Sequence, residues 1–147
     1  MSKRYDFRWA QGEDLNMTLT YSRKDESSGQ FIVVDLTGQS ARMDIRDEKN
    51  VLVAVFNSDD ITDTDPETPG SQGDSQKEIT LDVQGRIIVA GNRDYLLPGG
   101  TMYAKLNPLP NRFTEFYYDL VRRGTAGDQQ QMIYGKIVVE RSATLWT

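Results

Sequence analysis

Hydrophobic and polar side chains alternate with a period of two along several short stretches of this chain. In residues 41–46 every odd position is apolar and every even position is charged. Residues 15–21 also carry apolar side chains at the odd positions, and residues 116–121 place three large side chains on one face. This period predicts β-strands with one buried face and one solvated face.

Turn-forming residues and shorter apolar runs divide the rest of the chain. Asp35, Thr37 and Gly38 predict a turn before the strand at residues 41–46, because Asp and Thr side chains bond to nearby backbone and Gly tolerates positive φ. Residues 51–56 are apolar on both faces, which predicts a strand covered on both sides. Short apolar strands are also predicted at residues 31–34, 79–81, 86–89 and 132–140, and an exposed loop at residues 22–30.

The number and spacing of these stretches favour an all-β fold. No window of about a dozen residues shows the i, i+3, i+4, i+7 apolar stripe of a helix. About eight or nine short strands, separated by turns at the spacing typical of sandwiches, predict an immunoglobulin-like antiparallel β-sandwich with long loop insertions rather than a barrel. A length of 147 residues predicts a single domain, residues 1–147.

The longest polar segment is an acidic loop insertion at residues 57–78, in which prolines and glycines oppose regular structure. Clustered Asp and Glu oxygens are what hard cations bind, so a calcium loop is one hypothesis. The spacing fits no established calcium-loop pattern, and a solvated insertion is the favoured interpretation. The carboxylates are Asp59, Asp60, Asp63, Asp65, Glu67, Asp74 and Glu78.

A second unusual segment, residues 96–115, is extended, apolar and rich in proline. Pro108 and Pro110 remove backbone donors and fix φ, so this segment cannot be a central strand. Two interpretations stay open: a loop folded back over the end of the core, or an arm that docks into a neighbouring subunit. The candidate interface residues are Leu96, Leu97, Leu106 and Leu109.

Aromatic side chains elsewhere are further interface candidates. Tyr5, Phe7 and Trp9 alternate with polar residues, which predicts either a local edge strand or an N-terminal arm that packs on a neighbour. Trp146 is a candidate for a core plug or for an intersubunit contact.

The amino-acid composition excludes several kinds of catalytic and metal-binding site. The chain contains no Cys and no His, which removes disulfides, thiolate chemistry, the commonest general base and the commonest metal ligand. The sequence also lacks the glycine-rich phosphate-binding motifs and the G-x-S-x-G motif. Acid pairs such as Asp63 and Asp65 lie in a Pro/Gly loop, which holds catalytic geometry poorly. We therefore expect no enzymatic activity, no cofactor and no metal.

Charge and hydropathy limit the kinds of binding partner that we expect. A net charge of -5 argues against direct nucleic-acid binding, because such binding depends mainly on Lys and Arg. Arg42 and Arg46 flank Asp44 and are predicted to be salt-bridged surface positions rather than a phosphate-binding patch. No apolar run approaches the ~20 residues that span a bilayer, and no secretory signal is evident, so we expect a cytoplasmic product without membrane contact.

Several short motifs occur in a fixed order along most of the chain. They are Gln11-Gly12-Glu13-Asp14-Leu15, Val34-Asp35-Leu36-Thr37-Gly38 followed by Ser40-Ala41-Arg42-Met43-Asp44-Ile45-Arg46, Leu97-Pro98-Gly99-Gly100, Tyr117-Tyr118-Asp119-Leu120, and Tyr134-Gly135-Lys136-Ile137-Val138-Val139. In this order they resemble small virion proteins of tailed bacteriophages that have an immunoglobulin-like sandwich, akin to the N-terminal domain of phage baseplate upper proteins. Residues 101–115 and the acidic insertion depart from that pattern by their length.

The resemblance implies a non-enzymatic structural protein of the virion, made in the host bacterial cytoplasm. It would contact other virion proteins and assemble as a homo-oligomeric ring or symmetric array at the tail or baseplate, or at the head–tail neck (collar). Two alternatives stay open: a capsid decoration protein, and a carbohydrate-binding β-sandwich module for host recognition. Such a module would stack sugars on exposed aromatic side chains, for which the candidates are Tyr5, Trp9, Tyr95, Tyr103 and Trp146.

Overall fold

The computed structural model describes residues 3–58 and 78–144. These ranges contain eleven β-strands, two short 3₁₀ helices and no α-helix, so the all-β prediction is confirmed. The strands are β1 (Lys3–Arg4), β2 (Phe7–Ala10), β3 (Leu15–Thr20), β4 (Ser22–Lys24), β5 (Phe31–Val33), β6 (Ser40–Arg46), β7 (Leu52–Asn57), β8 (Ile79–Leu81), β9 (Arg86–Gly91), β10 (Phe113–Arg123) and β11 (Gln129–Glu140). The 3₁₀ helices are Arg93–Leu96 and Tyr103–Lys105.

The strands form two sheets and one separate hairpin. The large sheet has six strands in the order β1–β11–β10–β6–β7, with β2 also pairing β11. The small sheet has three strands in the order β3–β9–β8, and β4 pairs with β5. The short strands β1 and β2 run parallel to β11, whereas the other paired strands are antiparallel.

Strand β6 folds as its alternating pattern predicts. Ala41, Met43 and Ile45 are buried, whereas the charged residues between them lie on the opposite face. The preceding turn is also confirmed: Asp35 Oδ1 accepts a hydrogen bond from the Thr37 backbone N–H at 2.9 Å, and Gly38 has a φ of 79°.

The two sheets share one hydrophobic core cluster. Met43 and Phe56 of the large sheet and Leu15 and Ile87 of the small sheet all belong to it. A side chain at Gly91 of β9 would meet Phe56 Cζ at 3.1 Å, so the sheets approach closely at this point. The prediction that residues 51–56 are covered on both faces is confirmed for residues 53–56, which are all buried, and wrong for Val51, which precedes β7 and is exposed; Leu52 is partly buried.

Residues 22–34 differ from the sequence expectation. The predicted exposed loop at residues 22–30 includes a strand, β4, which pairs with β5. The apolar side chains of β5 are exposed, because within the described residues this hairpin lies outside both sheets. An uninterrupted apolar run therefore does not mark a buried strand here.

The segment at residues 96–115 packs on the core of its own chain. Leu96 and Met102 are fully buried and Leu106 is nearly so. The last residues of this segment begin β10, and Asn107 is tied back to them, because its backbone N–H donates to Thr114 Oγ1 at 2.8 Å. The interpretation as a loop folded over the end of the core fits these contacts better than a detached arm.

Candidate functional site

Three of the predicted interface residues are buried within the chain. Trp9, Leu96 and Leu106 are 2%, 0% and 8% exposed, so these side chains cannot meet a partner in this conformation. Trp9 also donates its indole N–H to the Glu13 carbonyl at 2.7 Å, which satisfies its polar edge within the chain. For these three residues the burial contradicts the interface prediction, because their side chains, from β2, from the first 3₁₀ helix and from the end of the second, complete the core of their own chain.

The other predicted interface residues differ in how far they are exposed to solvent. Tyr5 and Leu109 are exposed, and Phe7 and Leu97 are partly buried. Phe7 lies in β2, which pairs with β11, so the N-terminal aromatic run forms a local edge strand. Trp146 lies outside the described residues, and its role stays a prediction.

The β4–β5 hairpin exposes three consecutive apolar side chains that sequence reasoning did not select. Phe31, Ile32 and Val33 are 74%, 43% and 50% exposed. Soluble chains scatter single apolar residues over their surfaces, whereas contiguous apolar patches mark interaction sites. The signal was present in the sequence, because a Ser-Ser-Gly turn between two short runs is typical of a hairpin.

The tip of the β10–β11 hairpin lies beside the turn that precedes β6. A side chain at Gly38 would meet Thr125 Cγ2 at 3.5 Å. Ser40 of β6 pairs with Arg123 at the end of β10, so both turns are at one end of the large sheet. Val34 follows β5 and directly precedes the turn at residues 35–38, and the Tyr21 hydroxyl lies 3.3 Å from Gln130 Oε1, so the base of the β4–β5 hairpin is at the same end. We call the β4–β5 hairpin and the turns at residues 35–38 and 124–128 the loop end.

Arg122 connects the parts of the loop end. Its guanidinium donates to Gln39 Oε1 at 2.5 Å and to Gln130 Oε1 at 2.9 Å, and its Cζ lies 5.3 Å from the centre of the Tyr21 ring. The Tyr21 hydroxyl donates to the same Gln130 oxygen at 3.3 Å. The side chain of Arg122 is only 11% exposed, so this network fixes the base of the β4–β5 hairpin against β10 and β11.

The local turns of this end are held by aspartate side chains. The Thr37 hydroxyl and backbone N–H both donate to Asp35, and these bonds hold the pKa of its carboxyl below the usual range. In the hairpin turn, hydrogen bonds from Ser28 and Ser27 lower the pKa of Asp25 in the same way. These carboxylates are therefore committed to backbone geometry rather than to catalysis.

The outer face of the large sheet carries a second candidate surface. Tyr117 and Tyr134 are 40% and 41% exposed and border a shallow depression of about 370 Å³ that Asp44, Asp119 and Gln131 also line. Asp44 lies directly opposite Asp119 in the sheet. Like charges in this position repel, and nearby arginines offset the repulsion.

Those arginines confirm the predicted salt-bridged surface. Arg42 Nε lies 2.6 Å from Asp44 Oδ1, and Arg46 Nη2 lies 3.8 Å from Asp44 Oδ2. Both arginine side chains are about half exposed, so each pair contributes little stability, of order 0–1 kcal/mol.

The aromatic residues proposed for sugar stacking that lie within residues 3–58 and 78–144 do not form one platform. Trp9 and Tyr95 are buried, Tyr103 is partly buried and Tyr5 is exposed at the sheet edge. The outer-face tyrosines described above are the better candidates, and they stand out only once strand register is known.

The calcium hypothesis gains no support from the described residues. No group of three or more metal-ligand side chains occurs in residues 3–58 and 78–144. Glu78 is buried, and its carboxylate accepts hydrogen bonds from the Asn57 backbone N–H at 3.2 Å and the Tyr95 hydroxyl at 2.9 Å. The remaining carboxylates of the acidic insertion lie outside the described residues.

Comparisons with known proteins do not identify a family. No protein-family model and no curated protein matches this chain. Among the described residues, no helix is long and apolar enough to cross a membrane.

Proposed function

We propose that this chain is a non-enzymatic structural component of a tailed-bacteriophage virion, and that its fold is an immunoglobulin-like β-sandwich. The ordered sequence motifs that resemble phage virion proteins motivate this proposal. In the assembled particle the chain contacts other virion proteins as a homo-oligomeric ring or symmetric array, without direct contact to nucleic acid or membrane.

Strand order supports the immunoglobulin-like part of the proposal. In variable-type domains, one sheet contains strands G, F, C and C′, and the other contains B, E and D. The run β11–β10–β6–β7 has the chain order of G, F, C and C′, and the run β3–β9–β8 has that of B, E and D. In this notation β4 and β5 occupy the B–C connection, and residues 124–128 form the F–G turn.

The observation that carries an assembly function is the exposed apolar hairpin at the loop end. In variable-type domains, the B–C and F–G loops gather at one end and bind partners. Here Phe31 is 74% exposed in a strand that is otherwise suited to burial. A partner that covers β5 would remove this apolar area from water, which is the dominant driving force in most protein association.

An electron-microscopy experiment tests the proposal. Purified virions are labelled with an antibody against this chain. Label at one vertex or along the tail is the expected result, and it would place the chain at the neck, tail or baseplate. Label over the whole head would favour the capsid decoration alternative. Absence of label from all intact particles, with expression of the chain verified in infected cells, would contradict a virion role.

A matched pair of variants tests the hairpin within the particle. Ile32→Lys places a charge in the exposed strand β5. Val51→Lys makes the same change at an exposed apolar residue, 47% accessible, that follows the turn at the far end of β6. We expect only Ile32→Lys to reduce incorporation into virions.

The exposed tyrosines support one alternative, a carbohydrate-binding module. Tyr134 and Tyr117, with Lys136 Nζ 5.8 Å from the centre of the Tyr117 ring, offer exposed aromatic rings next to the Asp119 carboxylate and the Gln131 amide, a combination that can stack on and hydrogen-bond a sugar ring. Affinity electrophoresis against host surface polysaccharides tests this alternative. It predicts retardation of the unmodified chain that Tyr117→Ala and Tyr134→Ala abolish.

A further inference from the structure

Among the described residues, both edges of the β4–β5 hairpin are unpaired, and the two edges differ in chemistry. Within residues 3–58 and 78–144, β4 and β5 pair only with each other. Strand β4 carries Arg23 and Lys24, whereas β5 is Phe-Ile-Val and carries no charge. Charged side chains, lysine above all, protect an edge strand from pairing with another chain. The edge of β4 is therefore protected and the edge of β5 is open.

Hydrogen-bond parity shows which backbone groups β5 offers. The Asp25 N–H donates to the Gln30 carbonyl at 2.8 Å, and the Val34 N–H donates to the Tyr21 carbonyl at 3.0 Å. Bonded pairs recur at every second position of an antiparallel ladder, so Ile32 also bonds towards β4. The N–H and C=O groups of its two neighbours, Phe31 and Val33, consequently point away from β4 towards the open edge.

We propose that β5 is a self-association edge, which pairs antiparallel with β5 of a second copy of this chain around a two-fold axis at Ile32. In this register Phe31 exchanges N–H···O=C hydrogen bonds with Val33 of the second copy, and Val33 does the same with Phe31 of the second copy. The two Ile32 residues meet as a non-hydrogen-bonded pair, with Cα atoms about 4.5 Å apart.

A second copy fits this edge because the strand is complementary to itself. The pairing places an aromatic residue opposite a β-branched residue twice, a favourable cross-strand combination, and brings no charge opposite another charge. It also converts two separate two-stranded hairpins into one four-stranded sheet. An isolated two-stranded hairpin is marginally stable in water, whereas sheets of three or more strands with an apolar face are stable.

The absence of cysteine makes a direct test possible. Because the chain contains no Cys, Ile32→Cys introduces a single thiol on the proposed two-fold axis. The expected Cα separation lies within the range of about 4.4–6.8 Å that a disulfide spans. Under mild oxidation we expect Ile32→Cys to form a covalent dimer much faster than Val51→Cys, the control at the far end of β6.

Sedimentation equilibrium gives a second, non-covalent readout. The average mass of the unmodified chain is expected to rise with concentration from 16.7 kDa towards twice that value. Ile32→Lys is expected to stay monomeric, and Val51→Lys to dimerise like the unmodified chain. A chain that remains monomeric at every concentration, together with equal cross-linking of the two cysteine variants, would overturn self-association through β5.

This inference rests on the proposed function, because it names a partner for the same hairpin. Different experiments would contradict the self-association edge and the virion role. If the chain is monomeric while Ile32→Lys still prevents incorporation into virions, the self-pairing edge is wrong and a different virion protein covers β5. If the chain dimerises through residue 32 but no virion carries it, the edge stands and the virion role is wrong.

Discussion

Tyr118 donates its hydroxyl hydrogen bond to the backbone carbonyl of Tyr5 at 2.5 Å, across 113 positions of sequence. The ring of Tyr118 also packs edge-on against Phe7, with ring centres 5.1 Å apart. Burial, with a smaller contribution from the Asp6 carboxylate, raises the pKa of the Tyr118 hydroxyl well above its usual value. The N-terminal strand is therefore attached to β10 as well as to β11.

Gly135 makes this attachment possible. It lies opposite Tyr118 in β11, beside Tyr5 and Asp6, which join β1 to β2 along the same strand. A side chain at Gly135 would clash with the Tyr5 carbonyl. The Tyr5 N–H donates to the Tyr134 carbonyl at 2.8 Å and Asp6 Oδ1 accepts the Lys136 N–H at 2.9 Å, so the segment that joins β1 and β2 is held on both sides of the glycine.

Replacing Tyr118 by Phe should weaken this attachment without removing the ring contact. The variant leaves a partly buried carbonyl without its donor, so the free energy of unfolding is expected to fall by about 1–2 kcal/mol. Urea denaturation measures the difference. Tyr117→Phe is the matched control, because its hydroxyl is on the exposed face, and it should change stability by less than about 0.5 kcal/mol. Equal stability of the two variants would contradict a structural role for the Tyr118 hydroxyl.

A glycine supports the base of the β4–β5 hairpin. Gly85 has a φ of 75°, and a side chain there would lie 2.6 Å from the Tyr21 carbonyl oxygen and 2.9 Å from that of Val34. We expect Gly85→Ala to displace the hairpin and to destabilise the chain by more than the ~1 kcal/mol cost of an unfavourable φ.

Gly127→Ala separates the cost of the positive φ from the cost of the steric clash. Gly127 has a φ of 90° but open space around it, so its replacement has the backbone cost without the clash. Denaturation together with hydrogen exchange at residues 22–33 measures both effects. Faster exchange in the hairpin is expected for Gly85→Ala alone, and the same exchange in both variants would mean that Gly85 does not position the hairpin.

Sequence patterns predicted the strands better than the surfaces. Strands with a strict period of two, such as β6, were placed correctly because burial of one face fixes their register. The interface residues were harder to predict, because the sequence pattern around an apolar loop residue is the same whether the side chain packs on its own core or on a neighbouring chain. Leu96 covers its own core, whereas Phe31 is exposed although it belongs to an apolar run that is typical of a buried strand. Only the packing of each residue in the folded chain separates the two cases.

Stability should fall in acid, as the pH drops below about 4. Hydrogen bonds, mainly to backbone N–H groups or to hydroxyls, hold the pKa of five aspartates below the usual value in the folded state. These residues are Asp6, Asp14, Asp25, Asp35 and Asp82. Because the folded pKa is the lower one, the contribution to stability is complete above the unfolded pKa of about 3.9 and is lost as pH falls through the folded pKa.

Urea midpoints measured from pH 7 down to strong acid test this dependence. Asp82 accepts the Arg86 N–H at 2.9 Å and the Gln84 N–H at 3.0 Å, so it is a good residue to remove. Asp82→Asn should lower the midpoint at neutral pH and make the acid decline shallower. An unchanged slope in the variant would show that this carboxylate does not contribute to the acid response.

Arg122 offers the sharpest test of whether the loop end acts as one unit. Its planar guanidinium bonds to Gln39 and Gln130 and lies over Tyr21, a combination that a lysine ammonium cannot reproduce, because it is a compact charge without the rigid fork. Arg122→Lys keeps the charge, so a loss of stability reports the geometry alone. We expect a loss of about 1–3 kcal/mol, because the partly buried Gln39 Oε1 loses its donor and Gln130 Oε1 keeps only the hydrogen bond from the Tyr21 hydroxyl.

The neighbouring residue provides the control for this change. Arg123→Lys alters an exposed arginine at the next position of β10 and should leave both stability and the hairpin unchanged. If the network positions the hairpin, Arg122→Lys also speeds hydrogen exchange at residues 22–33 and slows the disulfide cross-linking of Ile32→Cys, although residue 122 is in a different strand. If Arg122→Lys lowers stability but leaves exchange and cross-linking unchanged, the arginine stabilises β10 and β11 only, and the hairpin is positioned by its own turn.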